Sequence, residues 1–426
     1  MLAIGLMSGT SMDGIDAALI DTDGDAAVRR VAFATTPYDA AFRDRLRAAM
    51  AAALALAAPG PDPVIDAVAE ELTLRHAAAV MALLAEAGVA SAAVGVVGFH
   101  GQTVAHRPDR RWTWQIGDGE RLAALTGITT VSDFRSADVA AGGQGAPLAP
   151  GYHRALVAVL GPEAVAVLNL GGVGNITWFG ADADGQRAWG SFDTGPGNAL
   201  IDDWVRAEAG LSHDEDGALA ARGTVDEGIV AAMLDLPWFD LPGPKSLDRA
   251  DFGLGAVRGL SAADGAATLT AFTAATVAQA LIHVAERPRR LLVTGGGRHN
   301  ATLMAMLAAR TGVAVAPVEA LGWNGDALEA EAFAYLAVRV LAGQPTSWPE
   351  TTGVAVATLG GRIAFRHPAP PPSSPRTCGA WLERDGRWRG ASQAPHQVRG
   401  DGWGRWRGLA KPRVRHGVTI GRTARA

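Results

Sequence analysis

Ala3–Asp21 reads AIGLMSGTSMDGIDAALID: two short apolar runs, Ala3–Leu6 and Ala17–Asp21, flank a polar, glycine-bearing turn. Runs joined so closely predict a β-hairpin. Within the turn Gly9 and Gly14 allow close backbone approach, Ser8, Thr10 and Ser11 present hydroxyls, and Asp13 and Asp16 present carboxylates. Backbone N–H groups in such a turn form an anion nest, and a carboxylate beside it holds Mg²⁺ through water. The pattern returns about 160 residues later, where strands Ala164–Leu170 and Ile176–Phe179 flank GGVGN, with Gly171, Gly172, Gly174 and Asn175. A third turn, TGGGRHN, follows the apolar run Arg290–Val293 and precedes a helical stretch, Ala301–Arg310. Its Gly295, Gly296, Gly297 and Asn300 sit where a strand passes into a helix, which suits an adenosine seat or an anion at a helix N-terminus. None of the three is GxxxxGK[ST] or GxGxxG. Singly, each turn reads as a plain connection. Three in this order, each at the end of an apolar strand, point to a polyphosphate gripped between two hairpins.

Helical patterns at Asp39–Ala58 and Pro63–Ala87, a buried-strand run at Ala93–Phe99, another at Ile128–Ser132 and a helix at Ala146–Leu160 fill the space between the first two turns. Asp326–Leu341 (DALEAEAFAYLAVRVL) reads as the helix that closes the body. Alternation of this kind argues for two α/β lobes with a cleft between them. With 48% hydrophobic and 19% charged residues, the 426-residue chain has ample material for cores. One cysteine, Cys378, excludes an internal disulfide framework and any multi-cysteine metal site, in keeping with a reducing compartment. The N-terminus lacks a basic region, and the longest apolar run, Met50–Ala58, falls well short of the roughly 20 residues of a membrane span. A soluble, cytoplasmic protein is expected.

The net charge of −5 conceals a split: residues 367–426 carry 12 basic and 3 acidic side chains, against 26 and 40 in residues 1–366. The tail opens with PAPPPSSP and repeats Arg, Gly and Trp without periodicity. Arginine interleaved with tryptophan is compatible with single-stranded nucleic acid. The plainer reading is a GC-rich gene, since the chain holds 36 arginines against Lys245 and Lys411, and an irregular, disordered basic extension. The acidic body should repel nucleic acid.

The strings MSGTSMDGID, FHGQTVAHRP, WQIGDG, SDFRSADVAAGGQGAPLAP, LNLGGVGNIT, FDTGPGN and VTGGGRHN occur in this order from Met1 to about Arg362. Together they resemble the 1,6-anhydro-N-acetylmuramic acid kinases of the actin/hexokinase/Hsp70 ATPase superfamily. The tail has no such counterpart. The resemblance implies a two-lobed actin-like ATPase (ribonuclease H-like) α/β fold with a nucleotide cleft between lobes. Its lobes would be 1–160 with 341–366, and 161–340. It further implies ATP and Mg²⁺ as cofactors, a small amino sugar as partner with no membrane, and a role in cell-wall recycling. Such enzymes open the 1,6-anhydro bridge with water and phosphorylate O6. A homodimer is an expectation that no surface stripe marks.

Residue by residue, the resemblance makes Asp193 of FDTGPGN the base; its other reading is a cap for a helix starting near Asn198. Asp13 would orient Mg²⁺ by way of water, or be a plain turn aspartate. Gly9, Thr10, Ser11, Gly14 and Asp16 belong to the first phosphate turn. Gly171, Gly172 and Asn175 face the nucleotide from the other lobe, and Gly295, Gly296, Gly297 and Asn300 surround adenosine. His100, Gln102, Thr103, Asp133, Arg135, Asp138 and Glu329 line the sugar. Arg135 suits the lactyl carboxylate because a guanidinium forks onto a carboxylate, unless it pairs with Asp133 or Asp138. His100 and Gln102 are alternatively satisfied loop residues, and Glu329 a solvated helix position. Asp202–Asp203 and the run His213–Gly217 read as solvated acidic loops rather than metal ligands. His76, His106 and His283 show no partner in sequence. The competing readings are a kinase of another sugar on the same scaffold and a non-catalytic ATP-binding regulator.

Overall fold

Strands Leu2–Ser8 (β1) and Gly14–Thr22 (β2) pair antiparallel, from Leu2 opposite Asp21 to Met7 opposite Asp16, so the opening turn is a hairpin. The structure, a computed structural model, describes residues 1–9, 11–247 and 251–366. Thr10 and residues 367–426 of the tail, Cys378 among them, lie outside the described residues. Strands Val28–Pro37 (β3), Val96–Arg107 (β4), Trp112–Ile116 (β5) and Thr130–Ser132 (β6) belong to the same sheet. A second sheet is built from Val165–Leu170 (β7), Gly174–Ala181 (β8), Arg187–Gly195 (β9), Arg290–Thr294 (β10) and Ala314–Pro317 (β11). Arg362–Ala364 (β12) returns to the first sheet. The orders are β12-β6-β4-β1-β2-β3, with β5 on β4, and β11-β10-β7-β8-β9. In each sheet an antiparallel glycine hairpin joins parallel neighbours: β1 runs parallel to β4, and β7 parallel to β10. Two mixed sheets with helices between their strands are the α/β class expected from the alternation of strands and helices.

Helices Ala40–Ala55 (α1), Pro63–Ala87 (α2), Gly119–Thr126 (α3), Ser136–Ala140 (α4) and Pro150–Val157 (α5) follow the first strands. Helices Ala199–Ala209 (α6), Glu227–Leu234 (α7), Ala262–Ala280 (α8) and Ala301–Thr311 (α9) belong with the second sheet. Leu328–Leu341 (α10) and Pro349–Thr352 (α11) close the body. Helix α2 keeps its expected limits because both ends are capped: Asp62 accepts from Val64 and Ile65 N–H, Pro63 opens the helix, and Gly88 closes it left-handed. Its buried face (Ile65, Val68, Leu72, Val80, Leu83) joins the core under the first sheet, each such side chain stabilising by roughly 1.5–3 kcal/mol.

Two sequence expectations change. The Ala146–Leu160 helix is shorter, an α-helix only over Pro150–Val157 continued by a 3₁₀ turn, since Pro147 and Pro150 cannot sit inside a helix. TGGGRHN leads into α9 at Ala301 as expected, with a 3₁₀ turn, Gly296–His299, inside the motif. Helix α10, expected in the second lobe, lies across β1, β2 and β4 of the first sheet. Gly5 and Gly98 make that approach: a Cβ would stand 1.7 Å from the Ala330 carbonyl oxygen at one and 2.1 Å from that of Phe333 at the other. Among the described residues no helix is long and apolar enough to cross a membrane.

Candidate active site

Register in the second sheet sets one row of polar residues. Thr294 of β10 is opposite Asn169 of β7, Asn169 opposite Asn175 of β8, and Asn175 opposite Asp193 of β9. Side chains paired across neighbouring strands share a face. All four line one cavity of about 170 Å³, together with Arg135, His153, Phe333 and Glu329. The last two ride on α10, so the cavity joins side chains of the second sheet to the helix lying on the first. Asn169 Nδ2 donates to Glu329 Oε1 across it (3.2 Å).

Asp193 sits inside β9 and caps nothing; α6 starts after Asn198 with no side-chain cap, which removes the alternative reading. Its backbone N–H donates to the Lys245 carbonyl (3.0 Å), and its Oδ2 accepts from Leu247 N–H (2.8 Å). Burial pushes its carboxyl up to about 7, with the Leu247 N–H and the Lys245 charge opposing. Lys245 donates to the carbonyls of Trp238 and Phe239 and lies 4.2 Å from the Trp238 ring centre, and burial brings its ammonium down to about 8. A carboxyl near 7 is matched to proton transfer at neutral pH. Glu329 lies exposed along the cleft; enclosure of its carboxyl raises its pKa, with Arg135 opposing and Asp16 adding to the rise.

Arg135 donates Nε to His100 Nε2 (3.1 Å) and Nη1 to the Gly145 carbonyl (2.7 Å). Neither Asp133 nor Asp138 pairs with it; among the described residues its guanidinium, which lines the cavity, is anchored without a carboxylate. Burial lowers it to about 10, so it stays cationic at neutral pH. His100, buried and held well below its ordinary value by burial and Arg135, is neutral. It lines a separate cavity of about 540 Å³ with Asp133, whose backbone is left-handed (φ 56).

Other expected sugar ligands have hydrogen-bond partners within the fold. Gln102 is fully buried; its Oε1 accepts from Ser8 Oγ (2.6 Å) and its Nε2 donates to the Gly9 carbonyl (3.1 Å), so it braces the first turn. Asp138 is buried and accepts from Gly145 N–H (2.6 Å) and Thr352 Oγ1 (2.6 Å), so each of its oxygens already has a partner within the fold. Thr103 Oγ1 accepts from Gln115 Nε2 and lines none of these cavities.

The larger cleft, about 950 Å³, gathers Ser11 and Asp13 from the first turn and Gly296, Gly297 and Asn300 from the third. Asn198, Asp202, Arg43 and Arg47 also line it. The second turn is sewn to α6: Asn198 N–H donates to the Gly171 carbonyl (2.8 Å), Ala199 N–H to that of Gly172 (3.2 Å), and Asn198 Nδ2 to that of Leu170 (2.7 Å). Gly295 needs its type, because it holds φ 75 and a Cβ there would meet Asn169 Oδ1 at 2.4 Å. Asn300 caps α9 through Leu303 N–H, and a Cβ on Gly14 would stand 2.4 Å from the Thr36 carbonyl oxygen of β3. The His213–Asp216 run borders this cleft, with His213, Glu215 and Asp216 exposed as expected of a solvated loop, whereas Asp214 is buried, accepting from Leu219 and Ala220 N–H.

Asp16 accepts from Thr35 Oγ1 (2.6 Å), and its pKa is raised by burial, with the negative charges of Asp326 and Asp13 adding. Carboxylates that repel one another beside an anion nest create the field a divalent cation relieves. Among the described residues no group of three or more His, Cys, Asp or Glu side chains converges closely enough to hold a metal ion.

Sequence reasoning missed Asn169, Thr294, Asn198, His153 and Lys245. A polar residue at the end of an apolar strand, within two residues of a glycine turn, was a readable signal for Asn169 and Thr294; Lys245 had none.

The family "Anhydro-N-acetylmuramic acid kinase" matches residues 1–366 of the chain. The chain belongs to that family. An anhydro-N-acetylmuramic acid kinase of Rhizorhabdus wittichii is 63% identical over 362 residues, covering 85% of this chain and 98% of the relative. One from Zymomonas mobilis is 52% identical, covering 86% and 100%. Among solved structures, a ROK family glucokinase from Streptomyces griseus, in complex with glucose and AMPPNP, shares 14% identity at a TM-score of 0.35, covering 79% of this chain and 99% of that one. The anhydro-N-acetylmuramic acid kinase match stops at residue 366, so the basic tail falls outside it.

Proposed function

We propose that the chain, a phosphotransferase of the anhydro-N-acetylmuramic acid kinase family, uses Asp193 as general base to open 1,6-anhydro-N-acetylmuramic acid and transfer the ATP γ-phosphoryl group to O6. The observation that carries this is Asp193 itself: a carboxyl held near 7, fixed by Leu247 N–H, in a cavity shared with an anchored arginine. Water adds to C1 and gives its proton to Asp193, the C1–O6 bond breaks, and O6 attacks the γ-phosphorus as ADP leaves. The product is N-acetylmuramic acid 6-phosphate, an intermediate of peptidoglycan recycling.

Arg135, cationic and facing the same cavity, is suited to the lactyl carboxylate. Asn169, Asn175 and Glu329 supply hydrogen bonds to sugar hydroxyls. ATP fits the 950 Å³ cleft, with Ser11 and the first turn toward its phosphates and Gly296–Gly297 toward adenosine. Asp13 and Asp16 would hold Mg²⁺ through water; the ion neutralises charge on the transferring group. Approach of the two lobes would exclude stray water from the γ-phosphate.

The test is ADP release by the full chain with ATP, Mg²⁺ and the anhydro sugar, with the product identified by mass. A gain of one water plus one phosphoryl group supports the reading. A phosphorylated sugar without the added water would separate transfer from ring opening and refute the proposed role of Asp193.

A further inference from the structure

Helix α1 carries three arginines, Arg43, Arg45 and Arg47, along one short stretch. Arg45 pairs with Glu71 (2.5 Å) and Arg47 with Asp44 (2.6 Å). Among the described residues Arg43 forms no ion pair, and its Nε is buried without a hydrogen-bond partner. An enclosed donor left unpaired is costly and needs an explanation. Its place compounds the cost: Arg43 is the fourth residue of α1, where the helix N-terminus repels a cation.

That position is also fixed to the first turn. Tyr38 N–H donates to the Asp13 carbonyl (2.9 Å), Tyr38 OH meets Ser8 Oγ (2.9 Å), and Asp39 then caps α1 through Phe42 N–H (2.8 Å). Arg43 thereby lines the 950 Å³ cleft beside Ser11, Asp13, Gly296 and Gly297. Of the other arginines in the cleft, Arg47 is held by Asp44 and Arg206 by Asp203. A polyphosphate lying along the first turn would at once pair the guanidinium and favour the helix N-terminus.

We propose that Arg43 is a further phosphate-binding residue of this cleft, meeting the triphosphate of the nucleotide from α1 while the first turn holds it from β1 and β2. The inference rests on the reading of the cleft as the ATP site. Charge-assisted contacts to phosphate are among the stronger hydrogen bonds, and Lys, lacking the fork, replaces Arg only in part.

The experiment is calorimetric binding of MgATP and of adenosine to the full-length chain, for wild type, Arg43→Gln, Arg43→Lys and the control Arg45→Gln. Arg43→Gln is expected to weaken MgATP about ten- to a hundredfold while adenosine changes less than about twofold. Arg43→Lys should lose less, Arg45→Gln should match wild type, and the salt dependence of MgATP binding should flatten in Arg43→Gln. Wild-type protein that binds no MgATP would remove the ATP reading of the cleft and this inference with it. Wild-type binding with an unchanged Arg43→Gln affinity would overturn the inference alone. Parallel loss of MgATP and adenosine would show a structural role for Arg43 and overturn it equally.

Discussion

Replacing Asp193 by asparagine should abolish turnover and, at alkaline pH, make the protein more stable. The carboxyl stands at about 7 in the folded chain against an ordinary 3.8, chiefly because burial disfavours its charge. Below about pH 4 it is neutral both folded and unfolded, and no cost arises. Between about 4 and 7 the folded chain retains a proton that the unfolded chain has released, so stability falls as pH rises, by about 1.4 kcal/mol for each pH unit. Above 7 the accumulated cost levels off at about 4 kcal/mol, an upper figure because the side chain is only partly shielded. Asparagine keeps the shape, still accepts from Leu247 N–H and never ionises. Denaturant unfolding of wild type and Asp193→Asn at pH 4.5, 6 and 8 should therefore show near-equal stability at the acid end. The variant should gain a growing advantage toward pH 8, and the same preparations should release no ADP in the sugar-dependent assay. A variant less stable than wild type at pH 8, or a difference that does not vary with pH, would refute the reasoning that this carboxylate is held charged against its surroundings.

Because the base must be deprotonated, kcat/KM should fall tenfold per pH unit below about 7 and level off above it, as a pH–rate profile will show. Lys245→Met removes the charge that favours ionised Asp193, so the acid limb should move to higher pH while the plateau rate is partly retained. Gly295→Ala places a side chain in a backbone region reserved for glycine and against Asn169; a loss of at least about 1–3 kcal/mol on unfolding is expected, with weakened ATP binding by calorimetry. Gln102→Leu leaves Ser8 Oγ and the Gly9 carbonyl without their partner and should cost about 1–3 kcal/mol; a sugar KM raised with no loss of stability would return Gln102 to the substrate side.

What could be read directly from sequence was local. The β1–β2 and β7–β8 hairpins declare themselves because apolar runs and glycine turns occupy adjacent residues, and α2 because Asp62, Pro63 and Gly88 mark both ends. Strand β3 was invisible: it is an edge strand whose side chains are mostly exposed or half-buried, so VRRVAFATTP shows no clean alternation. The sheet membership of α10 was hidden for a different reason. Its apolar residues suit either lobe, and only the missing side chains of Gly5 and Gly98, more than 200 residues away, receive it. At the site, Asp193 and Arg135 stand out by type and motif, whereas Gln102 and Asp138 look the same whether they face a ligand or a backbone amide. The row Thr294–Asn169–Asn175–Asp193 requires three strand registers that no single segment contains.

The seating of α10 on β1 and β4 has a mechanical consequence. The chain leaves the first sheet through α5, enters the second at β7, and returns between β11 and α10, so the two sheets are tied by two covalent passages, residues 158–164 and 318–327. Between those passages the sheets are also joined by packing: Val96 and Val131 of the first sheet and Val165, Val167 and Leu292 of the second belong to one buried apolar cluster around α5 and α10. Glu329 and Asp193, lining one cavity from opposite sides of that cluster, therefore sit on elements that share a core, and a loosening of it would reach both at once.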